Sequence, residues 1–135
     1  MARKRMIWRD ALNDPDLGRC DDAEWRLWIG LILLADDEGR GLADPPFLRA
    51  NIWPYHNRSK KWVEGKLKSL ENKMGSLELY EANGRIHYAL LKWSEYQTIR
   101  KELFRQSKIP PPSVQKRNAN VTITARQRNA SASIE

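Results

Sequence analysis

Lys61, Lys68 and Asn72 stand seven and then four residues apart, a spacing that puts all three on one face of an α-helix. Ammonium groups in such a row neutralise phosphates or reach guanine acceptors, and a carboxamide beside them can pair with an adenine edge. Lys60 adds a cation where that helix starts. Further along, Asn83, Gly84 and Arg85 make a tip where backbone and one guanidinium can approach a sugar-phosphate chain. Arg3, Lys4 and Arg5 near one end of the chain, and Lys116 and Arg117 near the other, supply further backbone contacts. Glu64 and Glu71 border the lysine row and repel phosphate, so the reading surface is narrow.

The overall charge agrees with this chemistry. Net charge is +7 and the isoelectric point near 9.8, which favours an anionic partner. Other chemistries find little support. Cys20 is the only cysteine, which excludes a disulfide framework and a cysteine-based zinc site. His56 and His87 lack partners at metal or catalytic-triad spacing. The acids Asp36, Asp37 and Glu38 suggest a metal-dependent nuclease only weakly, because three adjacent acids cannot all face one ion without a dedicated loop. A solvated turn pairing with nearby arginines is the preferred reading. With no phosphate-binding glycine loop, ATP hydrolysis is not expected, and with no catalytic constellation read from the residues the chain is expected to be non-enzymatic and to carry no cofactor. The basic start lacks an apolar stretch behind it, and the apolar run Trp25–Ala35 is too short for a membrane span. A protein of a reducing cytoplasm is expected.

The elements that must position these residues follow from caps and periodicity. Residues 1–20 read as a basic lead-in, with Ile7 and Trp8 as a small apolar anchor and a helical turn over 15–19 after Asp14-Pro15. Asp21 and Glu24 form a capping box ahead of a helix that is apolar nearly all round through Leu34. A very short strand is expected at Gly41-Leu42-Ala43, and a helix from Asp44-Pro45-Pro46 to Pro54. Ser59 caps the lysine-bearing helix, whose buried stripe is Val63, Leu67, Leu70 and Met74, with Gly75 as a left-handed cap. Lys60, Lys66 and Lys73 flank that stripe.

Asn83-Gly84 then predicts a two-residue type I′ hairpin turn, which pairs Ala82 with Arg85, Tyr80 with His87 and Leu77 with Leu90. Leu77, Leu79, Ile86, Tyr88 and Leu90 fall on the core face, Tyr80 and His87 on an exposed one. Ser94 and Gln97 suggest a second capping box for a last helix carrying Tyr96, Ile99 and Leu103. Residues 107–135 hold five basic residues against one acid and predict a disordered basic tail. The expected architecture is α+β, mainly α: a winged helix-turn-helix over 21–106, ending in a C-terminal helix and that tail.

These motifs resemble the N-terminal winged-helix domain of phage replication proteins, the replisome-organiser or DnaD-like group. The resemblance lies in Arg5-Met-Ile-Trp8, Asn13-Asp-Pro-Asp-Leu17, Leu33-Leu-Ala-Asp-Asp-Glu-Gly-Arg40, Leu48-Arg49-Ala50 and Trp53-Pro54. It continues through the Leu70…Gly75…Leu79-Tyr80-Glu81…Gly84-Arg85…Tyr88 run to Trp93-Ser-Glu-Tyr-Gln97 and Lys108-Ile-Pro-Pro-Pro112. It implies a phage- or prophage-encoded protein in a bacterial host, binding double-stranded DNA at replication initiation, with a helicase or its loader as protein partner. A transcriptional repressor of the same fold, or a winged helix used as a protein-interaction module, fits the same residues.

Overall fold

The computed structural model describes residues 2–112. Helices α1 to α4 each start where a side chain can satisfy a free N–H group. Asp14 accepts from the N–H groups of Asp16 and Leu17 and opens α1 (Pro15–Gly18), just after a 3₁₀ turn at Arg9–Asn13. Asp21 and Glu24 cap α2 (Asp22–Leu34) reciprocally, each side chain accepting the other's N–H at 2.8 Å. After β1 (Arg40–Leu42), Asp44 accepts from Phe47 N–H to open α3 (Pro45–Ile52). Ser59 Oγ accepts from Trp62 N–H to open α4 (Lys60–Lys73). The hairpin strands β2 (Leu77–Ala82) and β3 (Arg85–Leu90) follow, then a single turn, α5 (Trp93–Tyr96). The result is a mainly helical α+β domain, compatible with a winged helix.

The sheet is antiparallel in the order β1-β3-β2. Its hairpin keeps the expected register, from Ala82 opposite Arg85 to Leu77 opposite Leu90. Asn83 and Gly84 take φ of 55° and 76°, which the tight turn demands and which suits Asn and Gly. One sheet face meets the helices. Tyr88 and Leu77 are buried there with Leu27 and Leu31 of α2, Leu48 and Ile52 of α3, and Val63, Leu67 and Leu70 of α4. The Tyr88 hydroxyl donates to the Leu31 carbonyl at 2.6 Å, giving the buried phenol its one polar partner.

Several expectations need correction. Gly75 is no left-handed cap: Met74 leaves the helix in extended conformation (φ −106°, ψ 110°), and among glycines only Gly39 and Gly84 have positive φ within the described residues. The reversal into β2 is made instead by a turn at Gly75-Ser76, closed by the Leu77 N–H donating to the Met74 carbonyl at 3.3 Å. The last helix stops at Tyr96 instead of reaching Leu103, and Ser94 and Gln97 form no capping box. The Gln97 amide serves the N-terminal segment instead, accepting from Met6 N–H (3.0 Å) and donating to the Met6 carbonyl (2.8 Å). The α2 helix is less enclosed than its composition suggests, with Leu33 47% exposed.

The hairpin faces are also corrected. Tyr80 and His87 do pair across strands (ring centroids 6.0 Å apart), but both are buried, while Ile86 near the tip is 47% exposed. Residues 107–112 cover that outer face, so the chain stays ordered beyond the expected boundary at 106. The rest of the expected tail, 113–135, lies outside the described residues.

Glu24 joins α2 to α4. It is 1% exposed, accepts from Ser69 Oγ and Lys73 Nζ (2.8 Å), and takes its third bond from Asp21 N–H. Burial pushes its carboxyl up, but those three donors outweigh burial and hold it below the ordinary glutamate range. Asp21 is likewise held low, chiefly by its bond from Lys66. A depressed folded-state pKa contributes stability above the unfolded value and loses it as pH falls. The melting temperature should therefore hold near neutrality and drop below about pH 4. Glu24→Gln should cost about 2–3 kcal/mol at pH 7 and flatten that acid limb, as read by thermal denaturation across pH.

Candidate nucleic-acid interface

On α4 the side chains of Lys61, Lys68 and Asn72 are exposed opposite the buried stripe, and Lys60, which flanks it, is exposed at the helix start. Lys68 makes an i,i+4 pair with Glu64 at 3.4 Å, both side chains at least half exposed. Such a pair contributes only about 0.3–0.5 kcal/mol, so a phosphate can displace the glutamate. The flanking lysines are otherwise engaged: Lys66 with Asp21, and Lys73 with Glu24.

The start of α4 carries a feature absent from the sequence reading. Arg58 lies over the Trp62 ring at 4.4 Å, and Trp62 meets Trp53 edge-on at 5.1 Å. Trp62 therefore packs against a neighbour, as its place off the stripe suggested, while supporting a cation beside Lys60 and Lys61. The signal was present: Arg58 directly precedes the cap and Trp62 follows four residues later.

A groove separates α4 from the hairpin, lined by Glu64, Lys68 and Asn72 on one side and Leu79, Glu81 and Ile86 on the other. Glu71, also in its lining, accepts from Leu79 N–H at 2.8 Å and fastens α4 to β2. The groove thus holds one lysine against three glutamates. Outside it, Lys60 and Lys61 are exposed at the α4 start, and Asn83, Gly84 and Arg85 are exposed at the hairpin tip. Lys68 and Asn72 share the groove with the Glu81–Ile86 rung next to Arg85. Lys61 lies about 10 Å along the helix from Lys68.

The N-terminal cations separate into two kinds. Arg3 and Lys4 are exposed, but the Arg5 side chain is only 5% exposed. Its guanidinium binds the Ala35 carbonyl (3.0 Å) and Asp37 (2.9 Å) and lies 5.0 Å over the Trp93 ring. Arg5 is thus occupied inside the fold and is withdrawn from the expected arm. Lys116 and Arg117 lie outside the described residues.

The acidic turn is fully engaged. Asp36 accepts from the N–H groups of Glu38 and Arg40 and from Ser107 Oγ, Glu38 pairs with Arg40 at 3.5 Å, and Asp37 takes Arg5 and the N–H of Arg105. Burial pushes the Asp37 carboxyl up, but the Arg105 N–H and Arg5 outweigh it and hold it low. Among the described residues no cluster of His, Cys, Asp or Glu is arranged to hold a metal ion. Nor is any helix there long and apolar enough to cross a membrane.

Comparisons with known protein families, with curated proteins and with solved structures return no match to this chain. Because Arg5 is buried with Asp37, Arg5→Ala should cost about 2–4 kcal/mol of stability, while Arg3→Ala with Lys4→Ala should leave it within about 0.5 kcal/mol. Chemical denaturation of the two variants measures the contrast.

Proposed function

We propose that this is a non-enzymatic, double-stranded DNA-binding protein built on a winged helix-turn-helix. In this reading α3 and α4 are the helix-turn-helix, α4 enters the major groove, and β2-β3 is the wing on the neighbouring backbone. The observation that carries it is the outward row Lys61, Lys68 and Asn72 on a helix whose other sides are fixed, beside a tight hairpin that presents Arg85. Lys60, Arg58 and Asn83 supply flanking contacts to phosphate, with Arg3 and Lys4 as an additional arm. The resemblance to phage replication proteins makes origin binding at replication initiation the first biological role, in a bacterial cytoplasm, with a helicase or helicase loader as partner. Repression of transcription would use the same contacts.

A second reading, a protein-interaction module, draws on two observations. The groove carries more acid than base. An exposed apolar cluster also exists: Met6, Ile7, Trp8 and Tyr96, with Trp8 edge-on to Tyr96 at 5.6 Å. DNA binding by α4 and protein binding at that cluster are compatible with each other.

Titration of a labelled duplex by fluorescence anisotropy tests the primary reading. Four phosphate contacts predict about a hundredfold weaker binding between about 50 and 200 mM salt. Lys61→Ala with Lys68→Ala should lower the salt slope by about 2. Affinity that ignores salt, or a double variant that binds like the parent, contradicts the assignment of α4. An enriched motif from a random duplex pool would mark site-specific binding.

A further inference from the structure

A cavity of about 110 Å³ opens at the end of the sheet away from the hairpin tip, where β3 finishes at Leu90. Buried Leu17, Ile32 and Trp93 line it together with the partly exposed Ile7, Trp8 and Tyr96. The N-terminal segment that supplies Ile7 and Trp8 is fastened to α5: Met6 exchanges two bonds with Gln97, and Trp8 Nε1 donates to the Tyr96 carbonyl at 2.8 Å. The charged residues of the lining are Asp10, Asp14 and Asp16 against Lys92 alone. Arg19 pairs with Asp16 but is more than half exposed, so that contact is weakly held. In a chain of net charge +7, an apolar cavity with an acidic rim repels nucleic acid and suits a partner that is apolar and basic.

Such a feature lies a few residues further along the same chain. Gln97 is tied to Met6, and the Arg105 N–H donates to Asp37 at 2.9 Å, so the stretch between them is a loop held at both ends. Inside it the N–H groups of Leu103 and Phe104 donate to the Arg100 carbonyl at 2.9 and 3.1 Å and close one helical turn. Leu103 is 61% exposed and Phe104 45%. Arg100, Lys101 and Arg105, all exposed, flank them against Glu102 alone. Neither Leu103 nor Phe104 lines the cavity of its own chain. Among the described residues, six of the twelve large apolar side chains left exposed line that cavity or sit on this turn, so exposed apolar surface is concentrated in these two features.

We propose that two copies of this chain associate here, each seating its Leu103–Phe104 turn in the other's cavity with its cations against the acidic rim. This names the partner for the protein-interaction reading of the apolar cluster and rests on that reading. Size and charge both match. A cavity of this volume takes roughly one ring-sized side chain, and three cations on the turn meet three carboxylates on the rim. Leu103 follows Gln97 by six residues, so turn and cavity stand within about 21 Å of each other. That proximity suits a closed two-fold pair in which each copy gives one turn and receives one. Met74 and Leu90 line the cavity, whereas Lys60 and Arg85 stand at the other ends of α4 and β3. The pair therefore leaves the α4 start and the hairpin tip open to a duplex.

Sedimentation velocity of the full chain without DNA, from about 2 to about 200 μM, tests this, with thermal melting to check the fold of each variant. The parent should pass from monomer to dimer across that range. Ile7→Lys in the cavity wall, and Leu103→Ser with Phe104→Ser on the turn, should each weaken association at least about tenfold. Mixing these two variants is the decisive step. The mixture retains one intact turn and one intact cavity, so it should form a heterodimer tighter than either variant forms alone. Asp10→Lys and Lys101→Glu, both at exposed positions, repeat the design with charge only and stand in if an apolar variant does not fold. Each should weaken association about three- to tenfold, and their mixture should recover it. A parent that stays monomeric at about 200 μM overturns the pairing of copies and leaves the cluster to a different protein partner. Mixtures no tighter than their components also overturn it. Association that no variant disturbs runs through another surface and overturns the interface reading of the cluster as well.

Discussion

Glu24 sits in the first turn of α2 with almost no exposure, and a carboxylate there is tolerated only because three donors converge on it. One donor is its own helix cap, and the other two, Ser69 and Lys73, stand one turn apart on α4. The same charge therefore begins one helix and sets the rotation of another. Once Ser69 and Lys73 face Glu24, and Val63, Leu67, Leu70 and Met74 face the core, the remaining side of α4 is the one that carries Lys61, Lys68 and Asn72. Glu71 adds a second restraint by accepting the Leu79 N–H, which fixes the distance from helix to hairpin. Acidic residues thus hold in place the helix whose basic residues face outward.

The turn Asp36–Glu38 plays a matching role at the end of the sheet away from the hairpin tip. It gathers Arg5 from the N-terminal segment and Arg105 and Ser107 from the C-terminal one, and its Asp37 carbonyl accepts from Trp93 Nε1 at 2.8 Å. Gly39 follows with φ of 80° and the Trp93 side chain so close that a Cβ would collide with it. Two distant segments are thus anchored at one point: Arg5 follows the exposed Arg3 and Lys4, while beyond Ser107 the Ile109 and Pro110 carbonyls accept from Arg40 and Tyr80 on the outer face of the sheet. Of the arginines near this turn, Arg5 and Arg40 serve the fold.

Local chemistry was legible in the sequence wherever the determinant was local. The four helix caps at Asp14, Asp21, Asp44 and Ser59, the Asn83-Gly84 turn and the register it imposes are set by residues within a few positions of one another. Errors arose where a distant segment competed. Gln97 had the spacing of a capping box but its amide pairs with Met6, ninety-one residues away in sequence. Tyr80 and His87 alternate as an outer face should, yet a proline-rich segment with low apparent order covers them. Arg5 looked like part of a basic arm because nothing nearby in sequence reveals Asp37 and Trp93 as its partners. On α4 helical angle separated the outward Lys61, Lys68 and Asn72 from the flanking Lys66 and Lys73 and marked Glu64 and Glu71 as bordering acids, whereas Lys60 is exposed at the helix start and only the fold brings Glu81 into the same groove.

The central claim is that the outward face of α4 and the hairpin tip form one nucleic-acid surface, and amide chemical-shift mapping tests it most directly. Titrating a short duplex into the isotopically labelled full chain should move the amides of Lys60, Lys61, Lys68, Asn72, Gly84 and Arg85 together, with a common midpoint. The amides of Met6, Ile7, Trp8 and Tyr96 should stay in place. Shifts confined to that apolar cluster, or a duplex that moves neither α4 nor the hairpin, would contradict the account.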